Sequence, residues 1–314
     1  MKSKMVTPQV SIIMPIYNAG HTLQRMLNSI LQQTFEYWEL IAINDGSTDE
    51  TNSILHDFAR NDKRIKIINK SNEGVAIARQ IGLDNSNGLY IIHADADDYM
   101  EPFMLEELMK VAKDENSDII FCNFYYEYSN NKIIEIKQKP GNNAHETLLL
   151  LLKGLHGSCW NKLVKRSVLE KYAIKFVPNI DYYEDLLFWL KLFQKADIKI
   201  SYLNKAFYHY VQSNNSITNT GSLKTLESLY RFVDEAKRVL NHNILEVNNY
   251  IDNISGIPFA YALKHSLLSR TELKFEYHKI RNLLWKNNKT TRHWLGLICF
   301  ELNFINISRK LLCI

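Results

Sequence analysis

Over its first hundred residues the chain alternates short Val- and Ile-rich runs with stretches of helical period, and this alternation limits the fold more than any other feature. Residues 10–14, 38–43, 65–68 and 89–93 read as strands, and 21–33, 51–60 and 75–84 read as the helices between them. Strands that are apolar throughout are covered on both faces, and a helix between consecutive strands is the crossover that a parallel pair needs. The expected fold is therefore α/β: a Rossmann-like, mostly parallel sheet with flanking helices.

After Pro102 the alternation loosens into a helix at 104–114, a strand at 118–125, a polar turn at Ser129-Asn130-Asn131 and a further short strand, with a loop opening at Gly141-Asn142-Asn143. From about Leu223 apolar residues recur at helical spacing with few turn breakers. The expected division is a sheet-bearing domain over 1–220 and a smaller helical region over 221–314. Ser47 and Glu50 have capping-box spacing at the start of the second helix, with Asp49 adding charge to its first turn.

At 314 residues and 46% hydrophobic content the chain can bury a full core and hold a cleft. A formal charge of +4, from 38 basic and 34 acidic side chains, is too balanced for a dedicated nucleic-acid binder. Cysteines 122, 159, 299 and 313 lack C-x-x-C spacing, which argues against a zinc ribbon or redox pair and suits a reduced cytoplasmic setting. No secretory leader is expected at the N-terminus, and no apolar run approaches the ~20 residues of a membrane span.

The chemistry is concentrated at strand ends, where open α/β sheets bind ligands. Asp95-Ala96-Asp97-Asp98 puts three carboxylates in four residues directly after an apolar run. Such a cluster raises its own pKa values unless a cation neutralises it, and oxygen-only ligands suit Mg2+ or Mn2+ with a diphosphate as co-ligand. The plainer alternative is a solvated acidic turn. Asp45, in Asn44-Asp45-Gly46-Ser47-Thr48-Asp49, can accept a hydrogen bond from a base or simply form a turn. Asn72-Glu73-Gly74 precedes a helix carrying Ala78 and Arg79, and its glycine permits close backbone approach. Adjacent carboxylates at Glu184-Asp185 open an apolar helical run, as a general base or as helix N-terminal charge.

Taken in order, residues 10–18 (Val-Ser-Ile-Ile-Met-Pro-Ile-Tyr-Asn), the Asn44–Asp49 segment, Asn72-Glu73-Gly74 with Ala78-Arg79, and Asp95-Ala96-Asp97-Asp98 resemble the signatures of family 2 glycosyltransferases. The resemblance covers roughly residues 8–216 and implies the GT-A fold. It implies that Pro15, Tyr17 and Asn18 wall a nucleotide pocket, that Asp45 contacts the base, usually uracil, and that Asn72, Gly74 and Arg79 line the nucleotide and diphosphate. It further implies that Asp95 reaches the ribose or the metal's water shell, that Asp97 ligates Mn2+ or Mg2+, and that Asp185 is the base with Glu184 touching the acceptor.

Trp160 and Lys162, in His156-Gly157-Ser158-Cys159-Trp160-Asn161-Lys162, resemble the segment beneath the acceptor; Trp160 is either a sugar platform or core. His209, in Tyr208-His209-Tyr210, is a third metal ligand or a packed histidine, and the stretch closes with Asn215-Ser216-Ile217. No Arg stands between Tyr210 and Ser216, where relatives often grip phosphate, leaving Gln212 or Lys162 as substitutes.

The expected activity is inverting transfer of one hexosyl or N-acetylhexosaminyl group from a nucleotide-sugar, a UDP-sugar by the resemblance, to a glycan or lipid-linked glycan. Cell-surface polysaccharide assembly (capsule, O-antigen or exopolysaccharide) is the implied setting. The Q-x-x-R-W signature of processive members is missing. The C-terminal region, with Trp285, Lys286, Lys289, Arg292 and Trp294, is expected to lie on the inner face of the plasma membrane, to lid the core, or to make a homodimer contact. Two other readings stay open: an aspartate-nucleophile phosphatase, which also carries Asp-x-Asp after a strand, and a non-catalytic nucleotide-sugar or glycan-binding module.

Overall fold

The computed structural model describes residues 7–194, 198–212, 221–287, 291–302 and 305–312, and the chain divides into two compact units, Met1–Ser213 and Asn214–Ile314. Asn215-Ser216-Ile217 lies outside the described residues. The first unit opens with β1 (Val10–Ile16), α1 (Leu23–Leu31), β2 (Trp38–Asp45), α2 (Thr51–Asn61), β3 (Ile65–Lys70), α3 (Val75–Asp84) and β4 (Tyr90–His93). It continues with β5 (Tyr99–Met100), α4 (Met104–Asp114), β6 (Ile119–Glu127), β7 (Ile133–Ile136), α5 (Ala144–Leu152), β8 (Lys162–Lys165), α6 (Arg166–Lys171), α7 (Glu184–Phe193) and β9 (Ile200–Val211).

Among the described residues the strands form one sheet in the order β3-β2-β1-β4-β8-β6-β9-β5, with β7 paired to β6. Parallel pairing holds from β3 through β4, the stretch in which a crossover helix separates consecutive strands. From β8 onward directions mix: β8 runs antiparallel to both β4 and β6, β9 runs parallel to β6, and β5 runs antiparallel to β9. The architecture is a mixed, Rossmann-like sheet.

Both faces of the first strands are covered, as their apolar composition requires. Ile12 and Met14 pack with α1 and α4, while Ile13 on the opposite face meets α3, all with no exposed surface. Each such side chain contributes ~1.5–3 kcal/mol by leaving water. α3 lies so close that a Cβ at Gly82 would stand 2.3 Å from Ile13 and 2.9 Å from Ile43, so only glycine permits that approach.

One local expectation is corrected. Ser47 and Glu50 do not form a capping box: α2 begins at Thr51 with Glu50 itself as N-cap, and the Ser47 hydroxyl accepts instead from Asn18 N–H at 3.0 Å. Asp49 does serve the helix start, accepting from Thr51 N–H at 3.1 Å and from Gly20 N–H at 2.9 Å. The tertiary contact with the loop after β1 has displaced the local one.

The second unit contains α8 (Leu223–Val239), α9 (Leu245–Ile254), α10 (Ile257–His265), α11 (Arg270–Asn287), α12 (Thr291–Glu301) and α13 (Ile305–Leu312). Ser222 caps α8 by accepting from Thr225 N–H. Its own core joins Phe259, Leu263, Tyr277, Leu297 and Phe300. No helix among the described residues is long and apolar enough to cross a membrane.

Candidate active site

The strand order places β1 between β2 and β4, so the chain leaves their carboxyl ends in divergent directions and opens a crevice there. Tyr17, Asp45 and Asp95 occupy or follow these three ends. Pro15 sits in β1 opposite Ile43, and Tyr17 is exposed. Asn18 adopts the left-handed conformation (φ 48°), and its side-chain oxygen accepts from Thr48 N–H at 2.8 Å, tying the first strand-end loop to the second.

Asp45 is buried and holds the next loop. Its Oδ1 accepts from Lys70 Nζ at 2.5 Å and Glu73 N–H at 3.0 Å, and its Oδ2 accepts from Gly74 N–H at 2.9 Å. A carboxylate offers about four acceptor positions, so one at Oδ2 is left for a ligand. Gly74 has φ 99°, and a Cβ there would fall 2.2–2.5 Å from the Asp181 carboxylate. Asp181 in turn accepts from Ala76 N–H at the start of α3. Asn72, exposed beside this turn, packs close to Gly46.

Arg79, projecting from α3, is only 4% exposed and joins three segments. Its Nη2 donates to Asp95 Oδ1 at 2.8 Å, its Nε donates to Glu184 Oε1 at 3.2 Å, and its Nη1 lies 3.3 Å from His93 Nδ1. Burial, reinforced by the Arg79 charge, holds His93 well below the usual histidine range, so it meets the guanidinium as a neutral ring. A single guanidinium thus links the Asp-x-Asp motif to the carboxylate pair some ninety residues later.

The three motif carboxylates have separate environments. Asp95 is partly exposed, and its N–H donates to Tyr208 Oη at 2.9 Å. Asp97 opens to solvent, while its carbonyl accepts from Arg25. Protein crowded around its carboxyl, with the Asp95 charge second, pushes it up to about 6. Asp98 is fully buried, accepts from Val211 N–H at 2.8 Å through Oδ1, and leaves Oδ2 without a hydrogen-bond partner. Burial and then the Asp97 and Asp95 charges raise it well above the carboxylate range.

Glu184 and Asp185 start α7 behind Tyr183, which is left-handed at φ 65°. Asp185 is half-buried, with Oδ1 accepting from Leu186 N–H. Burial raises its carboxyl against the pull of Arg79. Glu184 is buried, and burial followed by the Asp185 charge pushes it up to about 8 despite Arg79. A carboxyl held above its ordinary range at the edge of a cleft is suited to accepting a proton.

Three expectations are corrected. Trp160 is 2% exposed, stacked at 4.4 Å on Tyr208 and edge-on to Phe124, so it has no face for a sugar. Lys162 is fully buried, its ammonium donating to His156 O, Ser158 O and Asn161 Oδ1, and burial lowers it to about 8; it reaches neither acceptor nor phosphate. Glu184 keeps its expected place beside Asp185 and adds a bond the sequence did not suggest, its Oε1 accepting from Arg79.

His209 has Nδ1 2.7 Å from Glu127 and Nε2 2.9 Å from Glu101, and its ring stacks on Tyr99 at 4.1 Å; binding a cation would require giving up one of those carboxylates. Among the described residues no group of three or more His, Cys, Asp or Glu is placed to hold a metal by itself. Sequence reasoning missed Arg25 and Asp181, which lie in no motif and act only through tertiary contacts, and it gave Tyr208 no role of its own beside His209.

Residues 11–173 match the family described as Glycosyl transferase family 2. The chain belongs to the family 2 glycosyltransferases. It is 31% identical over 224 residues to the glycosyltransferase EpsJ of Bacillus subtilis, which covers 67% of this chain and 63% of that protein. It is 32% identical over 220 residues to the UDP-Glc:alpha-D-GlcNAc-diphosphoundecaprenol beta-1,3-glucosyltransferase WfgD of Escherichia coli, covering 68% of this chain and 82% of the relative.

Its fold is similar to that of residues 1–349 of TarS from S. aureus in complex with UDP-GlcNAc, with TM-score 0.65 and 21% identity over 96% of this chain and 90% of that one. The sheet is thus that of a GT-A glycosyltransferase. Membership in the family sets aside the phosphatase reading of the Asp-x-Asp motif.

Proposed function

We propose that this family 2 glycosyltransferase moves one sugar from a UDP-sugar to an acceptor hydroxyl with inversion at the anomeric carbon, in cell-surface polysaccharide assembly. The observation that carries the reading is Arg79, whose guanidinium holds Asp95 and Glu184 together and so brings the strand-end acids and the α7 carboxylates into one site. The UDP-GlcNAc complex of TarS and the UDP-Glc named for WfgD support the donor class. WfgD's diphosphoundecaprenol acceptor supports a lipid-linked glycan as one acceptor class.

In this reading Tyr17 and Asn18 flank the nucleoside, Asn72 borders it, and the remaining acceptor position on Asp45 Oδ2 receives a uracil N–H. The Asp185 carboxylate takes the acceptor proton as that oxygen forms its bond to the anomeric carbon. The bond from that carbon to the diphosphate breaks, UDP leaves with the electron pair, and Asp185 later returns the proton to water. Asp97, exposed and crowded by Asp95, fits a divalent cation that completes its shell with the donor's phosphates, as Mg2+ or Mn2+ does. When bound, that ion offsets the charge on the departing diphosphate. Arg25, beside the Asp97 carbonyl, adds a fixed positive charge in a chain that has no arginine between Tyr210 and Ser216.

The test is transfer by Asp185→Asn with donor and acceptor verified. Loss of the base lowers kcat roughly 10²-fold or more while donor affinity is retained. Near-normal transfer refutes the assignment.

A further inference from the structure

Tyr210 lies on the same face of β9 as Tyr208, whose hydroxyl touches Asp95, and it stands in the electrostatic field of Asp95, Asp97 and Asp98. From it a row of rings leads away from the motif. Tyr210 lies 5.3 Å from Tyr126, and Tyr126 lies 4.6 Å from Tyr128, between ring centroids. His156 borders the same row, 6.4 Å from Tyr210. Exposure rises outward: Tyr210 and Tyr126 are partly exposed, and Tyr128 at the β6–β7 turn and His156 are exposed.

The hydroxyls along this row differ from those of the tyrosines tied into the sheet around it. Those of Tyr90, Tyr99 and Tyr208 are engaged by Ser117 O, Glu127 and Asp95 N–H. Among the described residues, those of Tyr126, Tyr128 and Tyr210 have no hydrogen-bond partner. His156 Nδ1 accepts from Ser158 N–H at 3.3 Å, which leaves Nε2 without a hydrogen-bond partner among the described residues. The surface therefore offers apolar ring faces with free polar tips.

A pyranose presents an apolar C–H face with hydroxyls at its rim, and rings with polar tips complement both parts at once. A lipid tail would leave the three phenols without partners, and an acidic or basic peptide would find no opposite charge in the row itself. We infer that Tyr210, Tyr126 and Tyr128, flanked by His156, form a saccharide platform that binds the acceptor beyond its reacting sugar, so that the acceptor carries at least two sugar units. This rests on the glycosyltransferase reading and names the acceptor class for the same site. It also moves the acceptor platform from the buried Trp160 to the exposed rings that pack outside it.

The experiment uses the full chain with Mn2+, a UDP-sugar that it hydrolyses, and free mono-, di- and trisaccharides of hexoses and N-acetylhexosamines as acceptors. Di- and trisaccharides are expected to be used in preference to monosaccharides. Tyr128→Ala combined with Tyr126→Leu, which keeps apolar bulk against the core, raises the disaccharide KM about tenfold, equivalent to about 1.4 kcal/mol, and moves the donor KM less than about twofold. Tyr128→Ala alone, at an exposed position, gives a smaller rise in the same direction, and Tyr128→Phe retains most of the binding.

Unchanged disaccharide KM in both Ala-containing variants overturns the platform. So does a wild-type chain that hydrolyses donor but transfers to none of these saccharides. Failure of the wild type to hydrolyse any UDP-sugar is a separate result, and it overturns the glycosyltransferase reading itself.

Discussion

Replacing Arg79 by Met removes the charge that faces Asp95 and Glu184 while keeping an apolar side chain of similar length. Deleting one partner of a buried ion pair costs about 3–5 kcal/mol. The lower end applies, because the Asp95 side chain is 27% exposed and can be rehydrated, whereas that of Glu184 is 10% exposed and cannot. A loss of ~3 kcal/mol lowers Tm by about 6–12 °C in a unit of this size.

The loss should depend on pH. Glu184 is raised from its ordinary 4.5 to about 8. Between those values the folded chain holds a proton that the unfolded chain has released, so stability falls as pH rises through the window. Without Arg79 the carboxyl rises further, so the gap between variant and wild type is small near pH 5 and widens toward pH 9 or so. Thermal melts across that range give the comparison, and Arg79→Met with Glu184→Gln should recover part of the loss. A Tm drop below ~2 °C that is flat with pH, with no recovery in the double variant, would refute the reasoning.

Gly74→Ala combines a penalty of ~1–3 kcal/mol for a positive-φ extended backbone that suits only glycine with a clash against Asp181, so it should lower Tm and raise the donor KM through the Asp45 contacts. Lys162→Met should lower Tm, because it strips the donor from His156 O, Ser158 O and Asn161 Oδ1, yet leave the donor KM within about twofold. Tyr208→Phe leaves the Asp95 N–H without its acceptor, and a stability loss of ~1–3 kcal/mol together with reduced kcat is expected in melts and turnover assays.

The first half of the fold was legible because each strand and its crossover helix are set by local pattern. The expected helix at 75–84 and that at 104–114 are α3 and α4 to the residue, and the strand ends carrying Asp45 and Asp95 fell where the apolar runs stop. The mixed pairing from β8 onward was not legible, since β8 is four residues long and its direction is set by which strands it meets. β5, two residues long, has no periodicity to read.

The same limit governed the site. Motif and family resemblance singled out Asp97 and Asp185 as candidates, but the partner of Glu184 is a guanidinium from a helix a hundred residues earlier. Trp160 and Lys162 carried residue types suited to sugar and phosphate, and only burial shows that their functional groups are spent inside the protein. Arg25 was hidden in an amphipathic helix, and the Tyr126–Tyr128–Tyr210 row exists only because β6 and β9 are neighbours in register.

The claim that Asp45, Asp95 and Asp97 form a nucleotide-sugar site is tested most directly by thermal shift with UDP-sugars, with and without Mn2+, in wild type and Asp97→Asn. A UDP-sugar at 100 times its Kd should stabilise the wild type by ~2.7 kcal/mol, or about 5–11 °C, with the Mn2+-dependent part lost in Asp97→Asn. No shift with any UDP-sugar, or a Mn2+-dependent shift that survives Asp97→Asn unchanged, would contradict it.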